Sequence, residues 1–146
     1  EDFIRNQLLK PMGIINYGWQ EDLSGFPKSA AGSSVLSRDM IKMGLLTLNK
    51  GIWNGKQHLP KEFIKQATSP LVQTSPTNSY GYFWWNQTLE IGNKKYDSIQ
   101  GRGAGGQFIF IIPTLELVIA ATAHNQGMGK MRAQLPHYLI PAFSNN

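Results

Sequence analysis

Four glycines stand in the six residues 101–106 (GRGAGG), and the unbroken apolar run FIFII, residues 108–112, follows almost at once. A run rich in Phe and Ile reads as a buried strand. Glycines directly before it let the backbone turn sharply or let another group approach it closely. The pattern demands a tight connection into a central strand, with a ligand or a neighbouring strand lying against the glycines.

The surrounding residues extend this into a sheet. YGYFWWNQTLEI (80–91), KKYDSIQG (94–101), GQFIFIIP (106–113) and ELVIAATAH (116–124) all read as strands. Gly92-Asn93 is a two-residue hairpin turn, and residues 113–115 supply another. Upstream the period is helical. Phe3, Ile4, Leu8 and Leu9 have helical spacing until Pro11 stops them. Residues 13–35 are rich in Gly, Ser, Pro and Asn and read as an ordered loop.

SRDMIKMGLLTLNKG predicts the clearest helix, with Ser37 as N-cap, Asp39 at its positive end and Gly51 just past its C-terminus. Its expected buried stripe is Met40, Ile41, Leu45 and Leu48. LPKEFIKQATSP predicts a second helix between Pro60 and Pro70. MGKMRAQLPHYLIPAF predicts a last one, kinked or divided at Pro136. The result is an α+β segment: 1–72 mainly helix and loop, 80–123 antiparallel strands, 128–143 helix.

Composition excludes several function classes. The 146 residues suit one domain with a real core, and the +5 charge comes from scattered basic residues without blocks. No nucleic-acid partner is expected. With no cysteine, thiolate metal sites and disulfides are excluded. No apolar run approaches the roughly 20 residues of a membrane-spanning helix. The chain opens inside a helical pattern, which reads as a piece of something longer.

Catalytic constellations are sparse. His58, His124 and His137 are isolated, without a partner at metal-ligand spacing, so structural roles are expected and neither metal nor cofactor is implied. The cluster Tyr80, Tyr82, Phe83, Trp84 and Trp85 fits a cleft wall or, more simply, sheet packing. There is no Gly-x-Ser-x-Gly elbow, no Ser-x-x-Lys and no Tyr-x-Asn; the only Ser-x-Asn is Ser144 to Asn146 at the C-terminus.

Taken together, the pieces resemble the C-terminal portion of the serine β-lactamase/penicillin-binding-protein-like family. LLKPMGI is similar to its "PLGM" segment, and SAAGSSVLSRDMIKMGLLTLNKGIWNGKQHLP to its "S-A-G-G-L…D-x-x-K-F-G…L-N-G-G" helix region. YGYFWW resembles the "YGYGW" strand, and GRGAGGQFIFIIPTLELVIAAT the glycine-rich strand pair followed by "P-x-x-x-L-V-V". These stretches run in the family's order over nearly the whole chain.

The resemblance implies a β-lactamase/transpeptidase-like fold and acyl transfer through a serine ester. The Ser-x-x-Lys and Tyr/Ser-x-Asn motifs would lie upstream of the "PLGM" segment. Gly101, Arg102 and Gly103 stand where the family has Lys-Thr-Gly or His-Thr-Gly, which implies substrate binding. Ala104 stands where a backbone N–H is one of two oxyanion donors. Gly101 brings no ammonium or imidazole, which puts strict lactam recognition in doubt, and Arg102 would supply a cation from the next position.

The implied partners are a small ester, amide or peptide substrate. The strand 117–123 would pair with the N-terminal part of the same domain or with a second copy. Relatives are usually periplasmic or secreted. Two other classes remain open: a catalytically inactive homologue that binds peptide or cell-wall fragments, and a purely structural segment.

Overall fold

A computed structural model describes residues 2–29, 31–124 and 128–144. A six-stranded sheet organises the chain: β5 (Val72–Ser75), β6 (Asn78–Gly81), β7 (Trp84–Ile91), β8 (Lys94–Gly103), β9 (Gln107–Ile112) and β10 (Leu117–Ala121). Every pairing is antiparallel, and the spatial order β10-β9-β8-β7-β6-β5 is the chain order reversed. This is the meander that the period-2 segments predict, built from short turns. The Gly92-Asn93 connection joins Ile91 to Lys94 as expected.

Helices cover both faces of the sheet. α2 (Ser37–Leu48) lies on the face carrying Ile109 and Val118. α4 (Met128–Phe143) lies on the other, where Met131, Leu135 and Leu139 pack against Phe108, Phe110 and Ile119. Ile140 continues that layer with Leu89, Tyr96 and Ile112. A second cluster ties α1 (Asp2–Ile4) and its π-helical continuation Arg5–Leu9 to α2, through Leu9, Met12, Ile14 and Leu46.

Several expectations need correction. The buried stripe of α2 is rotated: Met40, Gly44 and Thr47 are buried, while Ile41, Leu45 and Leu48 are only half-buried. The reason is Gly44. A Cβ there would overlap Val118, so the glycine sets the closest approach of helix and sheet. The N-cap is Leu36, in extended conformation, and Ser37 is the first helical residue without a side-chain cap.

The 13–35 loop contains a small hairpin, β1 (Tyr17–Trp19) with β2 (Ser33–Val35). A second hairpin, β3 (Ile52–Trp53) with β4 (Lys56–Gln57), turns through Asn54-Gly55. Two- and three-residue strands give too short a period to register in sequence. The polar stretch 73–79 holds most of β5 and the start of β6, and residues 80–91 are two strands divided at Tyr82-Phe83. α3 (Lys61–Ala67) begins after Pro60 as predicted. α4 runs through both Pro136 and Pro141. Pro136 is fully buried, so burial of the sheet-facing side outweighs the hydrogen bond the ring removes.

Candidate active site

The last three residues of β8 form an open backbone edge. β8 pairs with β7 only as far as Gln100, opposite Trp85, whereas Gly101, Arg102 and Gly103 pair on their other side with Ile109, Phe108 and Gln107 of β9. On the side away from β9, these three residues have no paired strand among the described residues. Residues 104–106 close the β8–β9 hairpin as a turn. Ala104 is exposed, and among the described residues its N–H makes no backbone hydrogen bond. Gly105 (φ +85°) and Gly106 (φ +100°) give the turn a conformation L-residues avoid.

Strand alternation separates the predicted site residues. Gly101 lies on the α2 face, where a Cβ would meet Ile109 and Trp84 at ordinary contact distance. Gly103 shares that face by alternation. There a cavity of about 520 Å³ opens between α2, β1, β2 and the ends of β9 and β10. Its apolar walls include Trp19, Met40 and Ile109, and its polar groups include Asp39, Gln107 and Thr122. Asp39 is 6 % exposed and ion-pairs with Lys42 at 2.7 Å, while Lys42 Nζ also donates to the Gly13 carbonyl at 2.9 Å. Gln107 Nε2 donates to the Ala123 carbonyl at 2.7 Å, fastening the start of β9 to the chain beyond β10.

Arg102 turns to the α4 face and is held there by neutral acceptors. Its Nε donates to Gln100 Oε1 at 2.9 Å, and its Nη2 to Asn78 Oδ1 and Gln87 Oε1 at 3.0 Å each. The guanidinium also stacks over Trp85, 4.5 Å from the ring centroid. Behind it, the fully buried Gln100 donates to Ser98 Oγ at 2.7 Å. Sequence reading missed this network. Its signal was the period-2 polar series Ser98, Gln100, Arg102 in the strand beside the apolar β9.

Burial lowers the Arg102 pKa from its ordinary value to about 10, and the charge of Arg132 on α4 adds to the effect. A base with a depressed folded pKa opposes folding while it is charged, so its contribution to stability rises as pH climbs from about 10 toward the ordinary guanidinium value. Removing the like charge is expected to help: Arg132→Gln should raise the thermal midpoint by about 1–3 °C at low ionic strength. The gain should shrink in 0.5 M salt, and a lowered midpoint would show that Arg132 is held by attractive contacts instead.

His124 directly follows Ala123, whose carbonyl accepts from Gln107 beside this turn. Among the described residues no group of three or more His, Asp or Glu side chains is placed to hold a metal ion.

The fold has counterparts among solved structures. A Bacillus anthracis protein provisionally described as a 6-aminohexanoate-dimer hydrolase superposes with a TM-score of 0.74 at 23 % identity, over 95 % of this chain and 37 % of that one. A penicillin-binding protein from Bacillus halodurans gives 0.66 at 15 % identity, covering 94 % and 49 %. A provisionally described β-lactamase from Bacteroides dorei gives 0.67 at 12 % identity, covering 100 % and 52 %. The fold is the serine β-lactamase/penicillin-binding-protein fold. More accurately, it is part of that β-lactamase-like fold, since the chain spans between about a third and a half of those structures' length.

No family model matches the chain. An uncharacterized protein of Alkalihalophilus pseudofirmus is 33 % identical over an alignment of 104 positions that covers 64 % of this chain and 30 % of that protein. The partner of β10 among the described residues is β9 alone. No helix among the described residues is long and apolar enough to cross a membrane.

Proposed function

We propose that this chain is the C-terminal segment of a β-lactamase-like serine hydrolase acting on an ester, amide or lactam, and that it supplies one wall of the cleft and one oxyanion donor. The observation that carries the reading is the unpaired end of β8 running into the exposed Ala104 N–H. An extended substrate chain laid along Gly101, Arg102 and Gly103 would meet alternating backbone donors and acceptors. Its scissile carbonyl would then project toward Ala104, where the N–H stabilises the developing oxyanion.

Arg102 contributes its backbone to this edge, and its side chain anchors the strand from behind. The nucleophilic serine and its lysine would come from another part of the protein. That part, or a second copy, would also add a strand to β10, since an unpaired edge of this apolar composition invites pairing. Export to the periplasm or cell surface accompanies this reading. The inactive peptide-binding alternative uses the same edge without the nucleophile.

The test uses the full-length gene product. It should hydrolyse p-nitrophenyl esters, take up one equivalent of a fluorophosphonate, and lose activity with that labelling. Amides of residues 117–121 should be protected from hydrogen exchange in the same sample. The 146-residue chain alone should show no serine-dependent turnover, because an oxyanion donor without a nucleophile accelerates nothing. Ester turnover insensitive to the serine reagent would refute the hydrolase reading.

A further inference from the structure

We infer that Tyr82 and Phe83, at the tip of the β6–β7 hairpin, form an aromatic lip on the open edge of β8 and select apolar groups on the chain bound there. The inference rests on the proposed use of that edge for substrate.

The argument begins with backbone conformation. Two-residue hairpin turns with positive φ at both central positions strongly prefer Asn-Gly or Gly-containing pairs, because a Cβ clashes there. This protein follows the rule in the β3–β4 hairpin, where Asn54 and Gly55 have φ of +48° and +76°. The β6–β7 hairpin has nearly the same geometry, with φ of +38° and +71° between the paired Gly81 and Trp84, yet its residues are Tyr82 and Phe83. A bulky aromatic in the left-handed region is an outlier, and here there are two in succession.

Core packing does not explain them. Tyr82 is 47 % and Phe83 68 % exposed. What fixes Tyr82 is a surface hydrogen bond, Gln66 Nε2 donating to its hydroxyl at 3.0 Å. The next residues in the aromatic run do face β8: Trp84 lies 3.8 Å from the Cβ position of Gly101, and Trp85 carries the Arg102 guanidinium. With Trp84 opposite Gly101, strand spacing and rise place the Phe83 backbone within roughly 10 Å of Arg102 and Gly103. A strained, exposed aromatic pair is therefore set beside an unpaired backbone edge. Aromatic rings bury a large apolar area with few rotatable bonds, which suits a lip that grips an alkyl or aromatic group.

The decisive variant is the double substitution Tyr82→Asn with Phe83→Gly, which installs the turn sequence the protein already uses at 54–55. Because it relieves strain, the full-length protein should melt about 2–6 °C higher. Binding is measured by tryptophan fluorescence with two probes, N-octanoyl- and N-acetyl-trialanine amide. The unsubstituted protein should prefer the octanoyl probe at least tenfold, and the variant should lose most of that preference with little change for the acetyl probe. Hydrolysis of p-nitrophenyl esters by the same samples reports separately on the hydrolase reading. A protein without turnover that keeps the octanoyl preference, lost in the variant, supports the lip and refutes the hydrolase. No preference in the unsubstituted protein, or one retained by the variant, overturns the lip whatever the turnover.

Discussion

Replacing Ala104 by proline in the full-length gene product is expected to cut kcat by about 10²–10³, the usual effect of losing one oxyanion donor. Proline removes the N–H and little else here. Ala104 is exposed, lies outside the β8–β9 pairing, and contributes no backbone hydrogen bond among the described residues. The residue before a proline must stay extended, and Gly103 already lies in β8. The variant should therefore melt within a few degrees of the parent and still take up substrate, so that KM moves much less than kcat. Ala104→Gly, which keeps the N–H, is the control and should retain most of the activity. If the proline variant turns over at the parent's rate, Ala104 is not the donor and the alignment of 101–104 with the family's substrate strand is wrong.

That alignment shows where sequence was informative. Residues 106–113 were legible because an apolar run bounded by glycines and a proline has few alternatives to a central strand. The hairpin at Gly92-Asn93 was legible for the same reason, since turn chemistry stands between two long period-2 segments. The divided strand at residues 80–91 was not, because Tyr82-Phe83 is the wrong chemistry for the turn it makes. Local propensity read through it as one strand, and the tertiary pairing of β6 with β7 overrode that preference. The face of α2 was misread because Gly44, which carries no hydrophobic signal, is the residue nearest the sheet.

For the candidate site, resemblance nominated Gly101, Arg102, Gly103 and Ala104, and the structure adds where the Arg102 side chain goes. A period-2 strand places Arg102 opposite in direction to Gly101 and Gly103. What it meets on that side depends on Asn78 and Gln87, respectively 24 and 15 residues earlier in the chain. Partners so distant in sequence leave no local signature. The acceptors around Arg102 are neutral, and they leave its charge incompletely compensated, which agrees with its lowered pKa of about 10.

The turn that presents Ala104 depends most on Gly106, and Gly106→Ala should be among the costliest single-methyl additions in the protein. Gly106 has φ of +100°, a conformation that costs an L-residue roughly 1–2 kcal/mol or more. The added Cβ would also stand 2.9 Å from Ala123 Cβ and 3.1 Å from Met131 Cε. Met131 can swing its methyl aside, but Ala123 cannot retreat freely because its carbonyl accepts the hydrogen bond from Gln107. Overpacking of this kind adds about 1–3 kcal/mol, so the total is about 2–4 kcal/mol. Against the 5–15 kcal/mol typical of a domain, that lowers the thermal midpoint by roughly 5–15 °C. Gly105→Ala separates the two causes. Its φ is +85°, but the nearest atoms to an added Cβ among the described residues are the Gln107 amide and the Ala123 carbonyl oxygen, at 3.5 Å or more. It should therefore carry the conformational cost without the overpacking and melt well above Gly106→Ala. Measured at a temperature where both remain folded, Gly106→Ala should also lose more activity, since relief of the clash pushes the turn, and Ala104 with it, away from α4. Equal melting points for the two variants would mean that the turn does not press against Ala123 and Met131, and that the proposed donor, Ala104, is not held from behind.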